Sequence, residues 1–582
     1  MTGTTHPAAS DRRHGWPLRR WPHPRATLFL IAAAALVLAP LANLALIAGA
    51  GDDDLWPHLA AHVIPRATLN TVLLLSGVAL VTVVAGTGTA WIVTAYDFPG
   101  RNAFAWLLPL PLAFPTYIVA YVYADLLGGV GPVQSALRSV FGWSSAADYW
   151  FPEVRSLGGA ILVMGFVLYP YVYLAARVMF QTQSVALLEA ARGFGATQWR
   201  LVRDIALPMA RPAIAAGVAL ALLEALNDIG ATEYFGVQTL TLSVFTTWLN
   251  RSSLPGAAQI ACLMLVAVAA LIALEHYGRR RHGFAGLDIR AGHTTRVALA
   301  GPPRLLALAA CLLPVGLGFA VPLLYLTFEV AARGLLIGFD PALWRHTLAT
   351  VLIAAAATAL IMALGFGAAL ALRIVRRPIA ALAVFIAGLG YAVPGTVLAL
   401  ALLSPLVAID NIINEAARIM GLATPGLILA GSGAAVVCAY VVRFLAIAIG
   451  LAQAGLARIP VDLDDAARAA GARPAGLVRS IHLPLLRPAL WGAALLVFVD
   501  CLKELPATLL LRPLNTETLS TYIYQFATRG SFEEGSLAAL IIVMVGIVPV
   551  IRMVRAADTV LPGLALRAEM ARRNPAAVRG GA

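Results

Sequence analysis

The chain contains 582 residues, of which 60% are hydrophobic and 12% are charged, and its mean hydropathy is +0.83. A soluble globular protein has roughly 45–50% apolar and about 25% charged residues, so this composition excludes that class and indicates an integral membrane protein. The formal net charge of +13 would suit a nucleic-acid-binding protein. The basic residues follow the membrane topology instead, so we expect no nucleic-acid partner.

Twelve apolar runs are long enough to cross a hydrocarbon core of roughly 30 Å, which takes about 20 helical residues. The first run is longer than the roughly 7–15 apolar residues of a secretory signal, so we interpret it as an uncleaved anchor. The predicted fold class is an all-α polytopic membrane protein with about twelve transmembrane helices. We predict spans near 27–49, 68–95, 103–127, 157–180, 213–229, 257–277, 305–330, 347–372, 379–408, 425–451, 489–505 and 536–554.

Basic residues indicate which side of the membrane each end of the chain occupies. Five arginines lie between residues 12 and 25, before the first span, whereas Asp52–Asp54 follow it. Because cytoplasmic segments carry the excess of basic residues, the N-terminus is predicted to be cytoplasmic. An even number of spans returns the C-terminus to that side, where five arginines lie between residues 552 and 573. We therefore expect a multi-pass membrane protein with both termini in the cytoplasm.

An internal repeat divides the chain into two homologous halves. The run RATLNTVL at 66–73 recurs as RHTLATVL at 345–352, and Pro115 recurs as Pro394, both 279 positions later. The stretch 189–213 recurs at 465–489 with an offset of 276. Each half has an even number of spans, six, so the halves are predicted to be parallel repeats with the same orientation.

The repeat also sets the predicted domain boundaries. Two six-span halves flank a linker that carries arginine and glycine, and a short tail lies at each end of the chain. We predict a cytoplasmic tail at 1–26, the first half at 27–280, a cytoplasmic linker at 281–304, the second half at 305–560 and a cytoplasmic tail at 561–582.

Each half contains a long loop that is predicted to be cytoplasmic, at 181–212 and 452–488. Both loops carry an acidic residue and two alanines, then glycine after three residues, then Ile-x-Leu-Pro after nine more. This pattern predicts a short helix, a turn that needs glycine, and a second helix stopped by proline. One such helix would suggest ordinary surface packing, but two copies with identical spacing favour a shared function. The residues are Glu189, Ala190, Ala191, Gly195, Ile205, Leu207 and Pro208, then Asp465, Ala466, Ala467, Gly471, Ile481, Leu483 and Pro484.

These two loops resemble the EAA loops of binding-protein-dependent ABC importer permeases, which have the type I importer fold. The resemblance implies that each loop docks in a groove of a cytoplasmic ATPase, present in two copies, and that a periplasmic substrate-binding protein delivers the solute. Asp465 replaces the usual glutamate, which conserves the charge and puts one docking contact in doubt. The resemblance also implies that the chain is a transport subunit in the lipid bilayer of the bacterial inner membrane, not an enzyme.

The sequence independently indicates that the motor is a separate polypeptide. A phosphate-binding P-loop requires Gly-Lys followed by Ser or Thr. The chain has a single lysine, Lys503, and it lies between Leu502 and Glu504. We therefore expect no cofactor on this chain, with ATP and magnesium bound by the partner ATPase.

Charged residues also recur within the last part of each half, in otherwise apolar sequence. The first acid of each half lies twelve residues beyond a proline and the second sixteen, so we predict that they share one helix face beyond the membrane midplane. They are either structural, paired within the bundle, or line the transport pathway, since charge inside a membrane rarely faces lipid. The aligned pairs are Glu224 with Asp500, Asn227 with Lys503 and Asp228 with Glu504.

The single lysine distinguishes the two halves. Asp500 and Lys503 are three residues apart and are predicted to pair on one helix face. The first half has Asn227 in place of the lysine, so its acids lack a local cation. This makes Glu224 and Asp228 the better candidates for contact with a cationic substrate.

The segments 226–248 and 503–524 resemble the corresponding segments of ferric-iron permeases. Ferric iron is a hard cation that prefers oxygen ligands, which the acids would supply. We therefore expect a ferric-iron importer, with thiamine, then polyamine, sulfate or phosphonate, as alternative solutes of the same class. An ion-coupled secondary transporter is the alternative from a different class, although it would have no reason to keep two matched loops.

His58 and His62 are a weaker candidate site. They are four residues apart, just after Asp52–Asp54, and two such histidines would share a helix face and ligate a metal. We interpret this segment as a hydrated loop.

Overall fold

The computed structural model describes residues 24–51, 54–182, 190–280, 296–335, 341–375, 377–552 and 555. In this part of the chain, eleven helices are long and apolar enough to cross a membrane, and a bent pair of helices makes a twelfth span. The prediction of an all-α fold with about twelve spans is confirmed. Spans 1 to 6 are Pro24–Gly49, Trp56–Ala95, the bent pair Arg101–Ala113 and Thr116–Leu126, Leu157–Gln181, Gln198–Asn227 and Leu254–Ala273. Spans 7 to 12 are Pro302–Ala332, Pro341–Val375, Gly395–Ile419, Gly433–Leu456, Ala475–Lys503 and Phe532–Arg552.

Equivalent prolines interrupt the predicted third and ninth spans. The sequence-based prediction of continuous helices missed both breaks. Span 3 bends by 92° where Pro115 separates its two helices. In the second half, the short helix Pro378–Gly388 and a 3-10 turn lead to Pro394, and span 9 begins at Gly395. Proline disfavours the helical conformation of the residue before it, and the ψ of 128° at Phe114 shows that the chain is extended there, so the helix ends at this point.

The second helix of each long loop continues into the membrane, so the predicted stop at proline was wrong. Span 5 begins at Gln198 and contains a π-turn over Leu201–Ala206 immediately before Leu207 and Pro208. Span 11 has the equivalent π-turn over Val478–His482. A π-turn shifts the hydrogen-bond register by one residue, which lets the helix accommodate a proline that lacks an N–H donor.

The two halves interlock through their first spans. Leu30 of span 1 belongs to a buried cluster with Ala368 of span 8, in the other half. Reciprocally, Cys311 of span 7 packs with Tyr169 of span 4. Each half thus completes its core with a helix that belongs, in sequence, to the other half, and this burial of apolar side chains joins the halves.

Short elements connect the spans. A two-residue strand, Tyr96–Asp97 (β1), pairs in parallel with Val297–Ala298 (β2), so the end of the linker is attached to the loop after span 2. The all-α prediction did not include this pair. Short helices lie at Pro132–Phe141, Ile229–Tyr234, Leu240–Leu249, Pro378–Gly388, Val461–Ala469, Pro506–Leu511 and Leu519–Thr528.

Candidate functional site

All six charged or amide residues that the sequence singled out line one cavity of about 70 Å³. The cavity lies where the ends of spans 5 and 11 meet spans 3, 4 and 10. It is large enough for a few water molecules, since one water needs roughly 10–15 Å³ measured in this way. The six residues are Glu224, Asn227, Asp228, Asp500, Lys503 and Glu504.

The second acid of each half lies beyond the end of its helix, which corrects the predicted placement of both acids on one helix face. Span 5 ends at Asn227 and span 11 ends at Lys503. Asp228 is extended, with φ −80° and ψ 107°, and Glu504 is extended, with φ −68° and ψ 121°. Only Glu224 and Asp500 are therefore on the spans themselves.

Asp228 and Glu504 leave the helix because each binds the N-terminus of the next one. Asp228 Oδ1 accepts a hydrogen bond from the backbone N–H of Ala231 at 2.8 Å. Glu504 accepts hydrogen bonds from the backbone N–H groups of Ala507 and Thr508, at 3.0 and 3.1 Å. A carboxylate at this position satisfies donors that a helix leaves unpaired and complements its dipole. Both acids thus position a helix that the sequence did not predict.

Hydroxyl groups complete the coordination of these two buried carboxylates. Thr116 donates a hydrogen bond to Asp228 Oδ2. Thr508 donates from its own hydroxyl to Glu504 Oε2 at 2.8 Å. The side chains of both acids are therefore fixed by several donors, as a buried charge requires.

Lys503 pairs within its own half. Its Nζ lies 2.8 Å from Asp500 Oδ1, and the two side chains are 25% and 14% exposed. This is the contact that the spacing of three residues predicted. The pair remains partly open to the cavity, so water can share in its solvation.

Asn227, which aligns with Lys503, has a different role because it contacts the other half. Its side-chain oxygen accepts a hydrogen bond from the backbone N–H of Gly395 at 2.6 Å and another from Arg443 Nη1 at 2.9 Å. A Cβ atom on Gly395 would lie only 2.7 Å from Glu504 Oε1. Glycine at this position therefore leaves room for Glu504 and Arg443 of its own half beside the hydrogen bond to Asn227.

Sequence analysis missed Arg443, the second cation of the cavity. It lies within span 10, is 5% exposed, and its Nη1 is 3.8 Å from Glu504 Oε1. Its Nε has no hydrogen-bond partner among the described residues. The signal was present in the sequence, since Arg443 is the only charged residue between 433 and 456. Intramembrane charge of this kind usually marks a functional position.

Tyr391 makes a further contact that the sequence analysis missed. It donates a hydrogen bond from its hydroxyl to Glu224 Oε1 at 2.8 Å, across the boundary between the halves. Tyr524 makes a similar contact with Glu233, at 2.6 Å. Such pairings depend on tertiary structure, because the partners lie 167 and 291 positions apart in the sequence.

The long loops have the same turn in both halves. Gly195 has a φ of +79° and Gly471 a φ of +83°, the left-handed conformation that glycine adopts readily. The N–H of the next residue, Ala196 or Ala472, donates to a helix carbonyl, at 3.0 and 2.9 Å. A Cβ atom at either glycine would meet no atom within 4 Å. The loops thus present open surfaces, and only backbone conformation requires glycine there.

Among the remaining loop residues, the aligned pairs have the same exposure except at Leu207 and Pro208, which are more buried than Leu483 and Pro484. Glu189 lies outside the described residues, whereas Asp465 is exposed and pairs with Arg468 at 2.7 Å. The exposed residues are Ala190, Ala466, Leu483 and Pro484, and the half-buried residues are Ala191, Ala467, Ile205, Leu207, Pro208 and Ile481.

No group of three or more metal-ligating side chains occurs in the described part of the chain. His58 and His62 lie in a helical segment that includes a π-turn, so their interpretation as part of a loop was wrong. Their ring centroids are 5.2 Å apart, and both side chains are exposed. Two ligands alone leave most of a metal's coordination to water.

Comparison with known families gives the class of the protein. The family model described as "binding-protein-dependent transport system inner membrane component" matches the chain twice, at residues 83–282 and 361–559. The chain belongs to this family. Its two matches lie in the two halves, which confirms the internal repeat, and the permease is a multi-pass membrane subunit of an ABC importer.

Individual relatives match about one half of the permease. The molybdenum transport system permease protein ModB of Escherichia coli is 29% identical over 186 residues, which cover 31% of this chain and 77% of the relative. A probable molybdenum ABC transporter permease protein of Haloferax volcanii is 28% identical over 46% of this chain and 96% of its own. The sulfate transport system permease protein CysT of Escherichia coli is 29% identical over 31% of this chain and 63% of its own.

Proposed function

We propose that this permease imports ferric iron, received from a periplasmic binding protein, by alternating access. ATP and magnesium are bound by two copies of a separate ATPase that dock on the two long loops. Both chain termini and both loops then lie on the cytoplasmic side, as the arginine distribution predicts. The cavity between the halves is the gated part of the pathway.

The charge of the cavity is the observation that carries this proposal. Four carboxylates and two basic side chains, Arg443 and Lys503, line it, which gives a formal charge of 2 − 4 = −2. A site of low dielectric and net negative charge attracts cations and repels anions. Oxygen atoms are also the ligands that ferric iron prefers.

Helix capping further disfavours an anion as substrate. Two short helices, Ile229–Tyr234 and Pro506–Leu511, begin beside the cavity, and free helix N-termini are common binding sites for oxyanions. Here Asp228 and Glu504 already occupy these N-termini. A sulfate or molybdate ion would have to displace a fixed carboxylate to use them.

The acids are suited to passage of a cation and not to its storage. Since the described residues contain no cluster of three ligands, iron would meet Glu224 and Asp500 only transiently. A pathway requires binding that is weak enough to allow release.

A molybdate or sulfate importer is the second candidate. It is favoured by the printed names of the relatives and by the buried guanidinium of Arg443, whose Nε has no partner among the described residues. Guanidinium groups bind oxyanions well.

Transport by the reconstituted complex distinguishes these candidates. The permease, its ATPase and the binding protein would be placed in proteoliposomes and supplied with radioactive ferric citrate, molybdate or sulfate. ATP-dependent accumulation of iron alone supports the proposal. Accumulation of molybdate or sulfate without iron favours the second candidate and overturns ferric iron as substrate.

A further inference from the structure

A buried charged cluster lies at the end of the bundle that carries the long loops, far from the cavity. Asp464 is its centre, and its Oδ2 accepts a hydrogen bond from Arg373 Nε at 2.8 Å. Its Oδ1 lies 2.8 Å from His482 Nε2. The side chains of Arg373, Asp464 and His482 are only 12%, 3% and 4% exposed.

The three residues come from three different elements. Arg373 lies at the end of span 8, Asp464 lies in the loop helix Val461–Ala469, and His482 lies in the π-turn of span 11. Arg373 also donates to the carbonyls of Leu456 and Ile459, at 2.5 and 3.0 Å. Asp464 therefore joins the loop helix both to the membrane bundle and to the base of span 11.

Span 11 connects this cluster to the cavity. Asp500 is eighteen residues beyond His482 on the same helix, which corresponds to about 27 Å at 1.5 Å per residue. A continuous helix is stiff over this length, so a movement at its base reaches Asp500 and Lys503. Coupling between distant sites requires such a packed, rigid connection.

The aligned positions of the first half carry uncharged residues. The offset of 276 aligns Asp464 with Leu188 and His482 with Ala206, and the offset of 279 aligns Arg373 with Thr94. Thr94 donates instead to the carbonyl of Ala90 in its own helix, at 2.7 Å. At these three aligned positions, charged or ionisable groups therefore occur only in the second half.

We propose that Asp464, with Arg373 and His482, is a positioning residue that makes the second loop helix and span 11 move as one unit. This inference rests on the proposed docking of the ATPase on the loops. Movement of the loop helix by the ATPase then displaces the Asp500–Lys503 pair at the cavity. The first half lacks these three residues at the aligned positions, so the two ATPase subunits act on unequal partners.

Hydrogen bonding explains why these residue types suit the role. Each oxygen of the Asp464 carboxylate accepts a hydrogen bond from a different side chain, and hydrogen bonds are directional. Arg373 and His482 are therefore both held at fixed angles to the loop helix. A buried pair of this kind resists separation, because the loss of one partner leaves the other as a buried charge that neither a partner nor water stabilises. An apolar contact of equal area would allow the loop helix to slide.

The experiment measures nucleotide-driven movement, which does not depend on the identity of the substrate. Spin labels at exposed Leu249 and Leu514, one in each half, would report the distance between the halves in the complex with its ATPase. The probe is ATP with vanadate, and ATP hydrolysis is measured on the same samples. The variants are Asp464→Asn, His482→Phe and His482→Gln, with Asp462→Asn as the matched control, because Asp462 is exposed on the same helix.

Asp464→Asn and His482→Phe should hydrolyse ATP within about twofold of the wild-type rate, while the fraction of molecules that change distance falls about fivefold. His482→Gln should behave like wild type, because its amide places a donor where Nε2 lies. Asp462→Asn should also be normal.

Full distance changes in both Asp464→Asn and His482→Phe would overturn the proposal. It is also overturned if both variants fail to fold while His482→Gln folds, since the cluster is then only structural. If the wild-type permease does not bind the ATPase at all, the proposed function fails instead, and co-purification detects that outcome separately.

Discussion

At the cavity, the two halves have the same backbone arrangement but different charged side chains. In both, a span ends beside the cavity and an acid, Asp228 or Glu504, caps the next short helix. The residue before that acid differs, since Asn227 bonds across to the other half whereas Lys503 pairs with its own Asp500. Both halves therefore keep the acid that caps the short helix after the span. They differ in the residue before that acid, which determines the local charge.

Among the substitutions that test this comparison, Arg443→Met should have the largest effect. Replacing Arg443 with methionine removes one of the two donors that join Asn227 to the second half and leaves Glu504 without its nearby cation. Breaking a buried charge pair costs about 3–5 kcal/mol, so we expect a large fall in folded yield and thermal midpoint in detergent. The double variant Arg443→Met with Glu504→Gln should recover part of the loss. Normal stability of the single variant would show that the contact is unimportant.

Lys503→Met tests the other ion pair of the cavity, between Lys503 and Asp500. It strands the Asp500 carboxylate, but the pair is partly exposed to the cavity, so we expect a smaller loss of about 1–3 kcal/mol. Adding Asp500→Asn should restore much of the folded yield, because no unpaired charge then remains. If Lys503→Met alone is harmless, the pairing explanation for the single lysine is wrong.

The two loop glycines allow a direct comparison of the halves. Valine at Gly195 or Gly471 meets no neighbouring atom but must adopt a positive φ, which costs roughly 1–2 kcal/mol. We expect both variants to reach the membrane and to lose substrate-stimulated ATP hydrolysis. The loss should be greater for Gly471→Val, since the second loop is joined to span 11. Full stimulation in both variants would exclude a docking role for these turns.

Amide substitutions separate charge from hydrogen bonding at the first half's acids. Glu224→Gln keeps an acceptor for Tyr391, and Asp228→Asn keeps an acceptor for the N–H of Ala231. We therefore expect near-normal folded yield for the double variant and a reduction in iron uptake of about tenfold, since each lost charge weakens attraction of a cation. Normal iron uptake would make the acids structural and remove the pathway interpretation.

The smallest expected effect is a pH dependence that arises at Asp464 in the second half. Burial alone would raise the pKa of Asp464, but hydrogen bonds from Arg373 and His482 lower it below its ordinary value. Because the folded pKa is depressed, this carboxylate stabilises the fold above its unfolded pKa of about 3.9, and the contribution is lost as pH falls through the folded value. The difference in thermal midpoint between wild type and Asp464→Asn should be constant from pH 5 to 7 and shrink below about pH 4. A difference that disappears already at pH 6 would contradict this assignment.

Sequence by itself determined the class of this protein. The apolar runs of sufficient length predict the number of spans, because the thickness of the bilayer sets a minimum helix length. The repeat and the loop pattern identify two permease halves, since equal spacing survives in the sequence without any knowledge of packing. The Asp500–Lys503 pair was predictable for the same local reason, as residues three apart share a helix face.

Tertiary structure decided how these elements meet. The helices that begin after Asp228 and Glu504 depend on which donors each carboxylate can reach. The contacts of Arg443 with Asn227 and of His482 with Asp464 join residues 216 and 18 positions apart. A local pattern carries no information about such partners, because burial and hydrogen bonding between distant segments are set only when the helices pack.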